Sequence, residues 1–562
     1  MGTILDRRRL SFVFGGLMLA MALGALDQAI VATALPVIVA DIGGLEHLSW
    51  VVTAYLIAAT AATPLWGRFG DLYGRKRIFL LTILTFLAGS ALCGASRTML
   101  QLIGARAVQG VGGGGLIVTA QAVIGDIVSP RERGRYQGIF GAVFALSSVV
   151  GPTLGGFVVD HLSWHWVFLI NLPIGAAALA VIGIALPPLA GGRRHRIDYL
   201  GAAVMMTATT CLVLVLTLGG ADLPWSSPAI IGLAVAGVAL TVVFVLIEQR
   251  VDAPIVPLKL FTVPVFRVSS SLSFLVGGAL LGPVTVLPLF FQAVNGMSPT
   301  ESGTRMLPLL LSVPVASVFA GQVITRTGRY RAFPIVGTML MSLGFVLMSR
   351  LDAGTSARIV SLSMMPLGIG LGLTMQVLVL AVQNTVEYRD LGAATSGITF
   401  FRSMGSVFGV AMFGGIFAGY LTGYDGTPPI AAYVGALRTV FSGALLVGLV
   451  SVVLAWRLEE HPLRESAGAA RQESPITPPL ETQSAEEIER MLSALVHQAS
   501  GGRRSTRGWR RAPASTCRRS AAGCSFVSTS PDRRRCRSWR DGFRCRASSS
   551  APAWPGCRIS GT

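Results

Sequence analysis

Gly67-Arg68-Phe69-Gly70-Asp71-Leu72-Tyr73-Gly74-Arg75-Lys76-Arg77 is the stretch on which the architecture turns. It joins two apolar runs, 48–66 and 78–95, and it is echoed far downstream. Gly321-Gln322-Val323-Ile324-Thr325-Arg326-Thr327-Gly328-Arg329-Tyr330-Arg331 also keeps a Gly seven residues before Gly-Arg-x-Arg, at an offset of 254. A motif that returns at the same place in a second series of apolar runs marks a duplicated unit, and duplicated halves facing one central cavity are a transporter architecture. Within the loop, Gly67, Gly70 and Gly74 permit a tight turn and close helix approach. Asp71, near a helix start, suits a helix dipole or a cation from the other half. Arg75, Lys76 and Arg77 hold the loop at the membrane surface. The spacing predicts a latch between the halves rather than a simple basic anchor. Thr325 stands where the first copy has Asp71, so one half alone keeps the acidic latch.

Working outward, the chain holds fourteen runs near the roughly 20 apolar residues that cross a bilayer: 12–36, 48–66, 78–95, 99–125, 136–159, 165–186, 199–218, 228–247, 268–291, 304–324, 332–349, 358–385, 393–420 and 435–456. Only 13% of the 562 residues are charged, and mean hydropathy is +0.64. Soluble chains carry about 25% charged residues, so a soluble enzyme is excluded. The first run follows Arg7, Arg8 and Arg9 and reads as a retained span, since a cleaved signal has a shorter apolar core. Spans 1–6 (12–186) and 9–14 (268–456) are read as two six-helix halves. Residues 1–11 precede them, 187–267 carry loops and an inserted pair of helices, and 457–562 form a tail. Basic groups at 68/75/76/77, 131/133/135, 193/194/196, 250/259/267 and 326/329/331 fall on one side, which the positive-inside rule makes cytoplasmic. Both termini are then cytoplasmic.

The tail accounts for most of the net charge of +19: residues 501–562 hold 15 Arg and 2 Asp. The basic balance therefore says nothing of nucleic-acid binding by the body. Residues 484–498 read as an amphipathic helix. The rest of the tail reads as disorder, and its composition equally fits out-of-frame translation of a GC-rich gene. Its five Cys, at 517, 524, 536, 545 and 557, match no zinc spacing. No metal site and no cofactor are expected. Gly110-Val111-Gly112-Gly113-Gly114-Gly115 matches a dinucleotide pattern only formally, because no strand precedes it. It reads as a helix thinned to let another pass.

The loop 67–77 resembles the loop-2/3 signature of the major facilitator superfamily, and further runs resemble its 14-helix drug:proton antiporter branch (EmrB/QacA-type). Leu26-Asp27-Gln28-Ala29-Ile30-Val31-Ala32-Thr33-Ala34-Leu35-Pro36 is similar to the first-helix motif, and Arg106-x-x-Gln109-Gly110 to the fourth-helix motif. Gly151-Pro152-x-x-Gly155-Gly156 resembles the fifth-helix antiporter motif, with Ser147 where many members have Gly. The run 164–175 and the run 400–405 resemble stretches of the sixth and thirteenth helices. The likeness covers about 12–456. It implies an all-α polytopic fold, no enzyme activity, and export of compounds against protons. It also implies proton coupling through Arg106 and an occlusion point at Gly151, Pro152, Gly155 and Gly156.

A charge at the bilayer centre costs at least about 2.5–3.5 kcal/mol, so each one needs a reason. Asp27 lies mid-span and is read as a proton- or substrate-linked group, against a structural acid bonded to Thr33. Arg106 cannot deprotonate but can hold a carboxylate. Arg402, near the cytoplasmic end of span thirteen, either snorkels or pairs with Asp71 in the latch. Weaker cavity candidates are Tyr55, Gln109, Gln121, Phe290, Gln292, Gln376 and Asn384, with Phe144 and Phe400. With no deep acid besides Asp27, the cavity is expected to suit lipophilic neutral or monocationic compounds.

The leading reading is a proton-coupled multidrug efflux transporter of the cytoplasmic (plasma) membrane, working as a monomer, with protons and a lipophilic small molecule as its partners. The alternatives are a proton-coupled nutrient symporter on the same scaffold and a membrane sensor that transports nothing. The sensor reading would call for a folded signalling domain, which the tail does not supply.

Overall fold

A computed structural model describes residues 7–44, 47–187, 198–219, 223–251, 254–421 and 429–463. The expected helix at 484–498 and the Arg-rich segment lie outside the described residues. Seventeen α-helices are present among those described, with no β-strand. The first half holds α1 (Arg7–Ile42), α2 (Leu48–Tyr73), α3 (Arg75–Gly94), α4 (Met99–Ile127), α5 (Pro130–His161), α6 (His165–Leu169) and α7 (Asn171–Ala185). An inserted pair follows, α8 (Tyr199–Leu218) and α9 (Pro228–Glu248). The second half holds α10 (Pro264–Ala293), α11 (Pro299–Arg305), α12 (Leu307–Thr327), α13 (Ala332–Ser349), α14 (Ala357–Ser363), α15 (Met365–Thr385), α16 (Leu391–Leu421) and α17 (Ile430–Trp456).

Each of the fourteen expected spans coincides with helix. Three of these spans are broken by a short turn: at Ile170 between α6 and α7, and at Leu307 and Met365, where a new helix starts just before Pro308 and Pro366. Proline lacks the N–H that would continue the preceding helix. Among the described residues, twelve segments are long and apolar enough to cross a membrane. Helices α5 and α10 are also apolar over most of their length, as in 142–159 and 281–291.

The halves are packed alike. Helix α4 carries its glycine run through a narrow crossing: Gly112 faces the Phe86 backbone of α3, and Gly114 faces Ala59 of α2. Trp66 Nε1 donates across the same crossing to Val111 O at 2.7 Å. In the second half α15 repeats the device, with Gly370 against Gly337 of α13 and Gly372 against Val313 of α12. The two halves meet through α2 on α16 and through α12 on α5. Those two contacts are equivalent under the repeat, since α2 corresponds to α12 and α5 to α16. Gly67 lies against Gly392 and Ser396 of α16, and Gly321 lies against Gly134 of α5. The duplicated glycine of the motif thus does the same work twice, letting two backbones touch where the halves join. Helix α8 packs on α9, α2 and α16. The outer faces are apolar and exposed, as at Leu84, Val235, Phe319 and Leu446, which suits contact with lipid.

Candidate functional site

The signature loop forms a one-residue corner. Helix α2 ends at Tyr73, α3 begins at Arg75, and Gly74 between them has φ +94°, a region L side chains rarely adopt. The corner swings Arg75 back beneath α2. Arg75 Nε donates to Asp126 at the end of α4 at 3.0 Å, and Nη2 pairs with Asp71. Asp71 then reaches the other half. Its two oxygens accept the backbone N–H groups of Gly392 (3.0 Å) and Ala393 (2.8 Å) in the first turn of α16. A carboxylate so placed caps a helix start, where the N–H groups have no intrahelical partner. The same end of the bundle holds Arg68–Asp390 at 3.3 Å, Lys259–Asp390 at 3.0 Å, and a bond from Arg133 Nη1 to Gln383 O at 3.3 Å. This basic end is sealed.

Arg402 takes no part in it. The expected Arg402–Asp71 pair does not form, because both Asp71 oxygens are taken by Arg75 and the α16 backbone. Arg402 sits eleven residues into α16, too deep to snorkel past the sealed end, and it lines the central cavity.

Asp27, on α1, is wholly buried. One carboxylate oxygen accepts from Arg106 Nη1 at 2.6 Å. The other accepts from Gln109 Nε2 at 2.7 Å and Asn171 Nδ2 at 2.9 Å. Arg106 also donates to Gln109 Oε1 at 2.6 Å and to Val51 O at 3.2 Å, and its guanidinium carbon lies 4.3 Å from the centre of the Tyr55 ring. Ser90 accepts from both Gln109 and Asn171, at 2.6 and 3.0 Å. Helices α1, α2, α3, α4 and α7 thus converge on one buried ion pair. Asn171 and Ser90 carried no role in the sequence reading; a polar residue inside an apolar run was the available signal. Thr33, the alternative partner considered for Asp27, bonds to Ile30 O instead. The second half has Leu281 and Val360 at the repeat-equivalent positions, so the pair belongs to one half only.

Between the halves lies a cavity of about 850 Å³, within the usual size of small-molecule sites. Its floor is Gln121 of α4 and Gln376 of α15, whose amides meet at 3.4 Å. From there the cavity runs away from the basic end, past Thr399, Arg402 and Ser406 of α16 to Leu309, Gly415 and Ala418. Gln28 and Ala29 line it too, while Asp27 points the other way, into the first half. The ion pair therefore stands one residue's rotation behind the cavity wall, and a movement of α1 would be felt on both sides.

Other expected residues lie elsewhere. Tyr55 and Gln109 belong to the Asp27 cluster. Phe290 is buried in the core of the second half. Gln292 donates to Ser302 at 3.1 Å. Asn384 reaches the carbonyls of His461 and Pro462 at 3.4 and 3.2 Å. None of these five is among the described residues lining the cavity. Phe400 packs on Phe401, and the side chains of Phe144 and Pro152 lie outside what is described. Gly151 and Gly155 press on Ala29, Ile30 and Thr33 of α1, whereas Gly156 has nothing within 4 Å. Only the first two of these glycines are needed for close packing. No cluster able to hold a metal ion occurs among the described residues.

Residues 17–410 match the Major Facilitator Superfamily, and the chain belongs to that superfamily. An uncharacterised MFS-type transporter of Mycobacterium tuberculosis is 42% identical over 491 residues, 83% of this chain and 72% of that protein. The multidrug transporter protein MdtP of Bacillus subtilis is 38% identical over 401 residues, 71% of this chain and 74% of its own. Among solved structures, the human organic anion transporter MFSD10 superposes with a TM-score of 0.60 at 16% identity, covering 80% of this chain and all of that one. At that identity the likeness is one of fold. The chain is a multi-pass membrane transporter of the superfamily.

Proposed function

We propose that the protein is a drug:proton antiporter of the cytoplasmic membrane that exports lipophilic compounds, driven by the proton gradient and needing no cofactor. The observation that carries the reading is a small-molecule cavity between the halves, sealed at one end by the Asp71 latch, with a buried Asp27–Arg106 pair directly behind its wall. The likeness to MdtP, named a multidrug transporter, points the same way. The basic end is taken as cytoplasmic, so both termini are inside and the cavity faces outward. The halves are 12–186 and 268–456, joined by the inserted pair, and one chain suffices.

In this cycle a proton from outside reaches Asp27 as the pair with Arg106 separates. Neutral Asp27 no longer holds α4 to α1, and that freedom lets the latch at Asp71, Gly74 and Arg75 open. Cargo enters from the cytoplasm or the inner leaflet, Arg106 and Asp27 re-form their bond, the proton leaves inward, and the halves rock back. Gly151 and Gly155 keep α5 close to α1, so that movement of α1 carries α5 with it.

The test is Asp27→Asn in everted membrane vesicles supplied with a panel of lipophilic drugs. Gradient-driven accumulation is lost while membrane insertion is retained. Wild-type accumulation in the variant refutes the role of Asp27.

A further inference from the structure

We infer that the central cavity is built for lipophilic anions, carboxylates foremost, with the Arg402 guanidinium as their anchor. The inference rests on the cavity being the cargo site of the proposed exporter. It replaces the expectation of neutral or monocationic cargo, which considered the missing acids but left Arg402 out of the cavity.

Three observations carry it. Arg402 is the one charged side chain among the described residues that line the cavity. It also makes no hydrogen bond and no ion pair among the described residues, whereas the other deep arginines are engaged: Arg106 with Asp27, Arg75 with Asp71 and Asp126. Finally, its backbone is fixed. Gly277 of α10 presses against the Arg402 carbonyl, and one turn on Ser406 Oγ donates to Gly277 O at 3.1 Å. Helix α16 therefore cannot turn the side chain away without breaking its seam with α10.

Arg402 lies about 16 Å along α16 from its start, at about 1.5 Å per residue, and that end is closed. A guanidinium stays charged at any working pH. The cavity thus holds a permanent positive charge between mainly apolar walls. A cationic cargo meets repulsion there. A carboxylate meets a planar fork of donors that matches both of its oxygens, with Ser403 and Gln376 nearby for further hydrogen bonds.

The test is equilibrium binding to the purified full chain in detergent, without membrane or gradient, using pyrenebutyrate, its methyl ester and pyrenebutyl-trimethylammonium as matched probes. The wild type is expected to bind the carboxylate at least about tenfold more tightly than either other probe, the scale of a charge-assisted bond. Arg402→Gln abolishes that preference and leaves ester binding unchanged, and Arg402→Lys keeps part of it. A wild type that favours the ammonium, or that treats the three within about threefold, overturns the inference. So does an Arg402→Gln variant that keeps the preference or weakens all three alike. Should Arg402→Gln fail to fold, the wild-type ranking still decides. A carboxylate preference without gradient-driven transport leaves this inference standing and removes the exporter reading; transport without the preference does the reverse.

Discussion

Replacing Asp71 by Asn probes the closed end of the bundle with the least change in shape. Asp71 accepts two backbone N–H groups of α16 and pairs with Arg75, and its side chain is only 2% exposed. The amide keeps one acceptor oxygen and turns its NH2 toward the second N–H. One buried donor loses its partner, at a cost of about 1–3 kcal/mol. The lost charge at the α16 start removes a further ~0.3–1 kcal/mol. Asp126 still holds Arg75 at 3.0 Å, which limits the damage. The net is roughly 2–3 kcal/mol against the sealed state, or roughly a 30- to 150-fold shift toward opening of the basic end. The assay is thiol labelling of Thr399→Cys, a buried cavity position on α16, in a background freed of native cysteines. An impermeant reagent applied at the basic face should label the Asp71→Asn protein at least tenfold faster than its parent. Equal rates would show that the latch carries no energy, and the reasoning from its geometry would fail.

Two further substitutions test the packing behind the site. Gly155→Leu should lower the thermal unfolding midpoint in detergent, by the ~1–3 kcal/mol typical of overpacking, because a side chain there meets Thr33 and Ile30, with Ile30 O at 2.9 Å. Gly156→Ala, which meets nothing within 4 Å, should unfold like the wild type. Arg106→Ala leaves Asp27 buried without its counter-ion and should cost up to about 3–5 kcal/mol. Arg106→Lys, which can meet Asp27 but not Val51 O as well, should fall between, on the same unfolding measurement.

The fold was legible because apolar run length and the 67–77/321–331 repeat depend only on local sequence. What the sequence could not supply was which face of each helix points where. Asp27 and Arg106 were each singled out as costly charges, yet their union across 79 residues needed the crossing of α1 and α4. Two opposite charges buried in one half, each requiring a partner, were the available clue. Arg402 reads from the sequence as a residue near a span end, free to snorkel or to join the latch; eleven residues of α16 carry it to the cavity wall instead. Phe290 and Gln376 look alike as candidates in a list of residues, and only packing sends one into a core and the other to the cavity floor. Gly156 and Gly155 are neighbours about 100° apart on α5, so the motif's adjacent glycines face different surroundings.

The most direct measurement follows lumenal pH in proteoliposomes carrying the purified protein, as a transported compound is added outside at zero starting gradient. Proton movement opposite to the compound, absent in Asp27→Asn, is the predicted result. Movement in the same direction as the compound, or counterflow that survives in Asp27→Asn, would contradict the account.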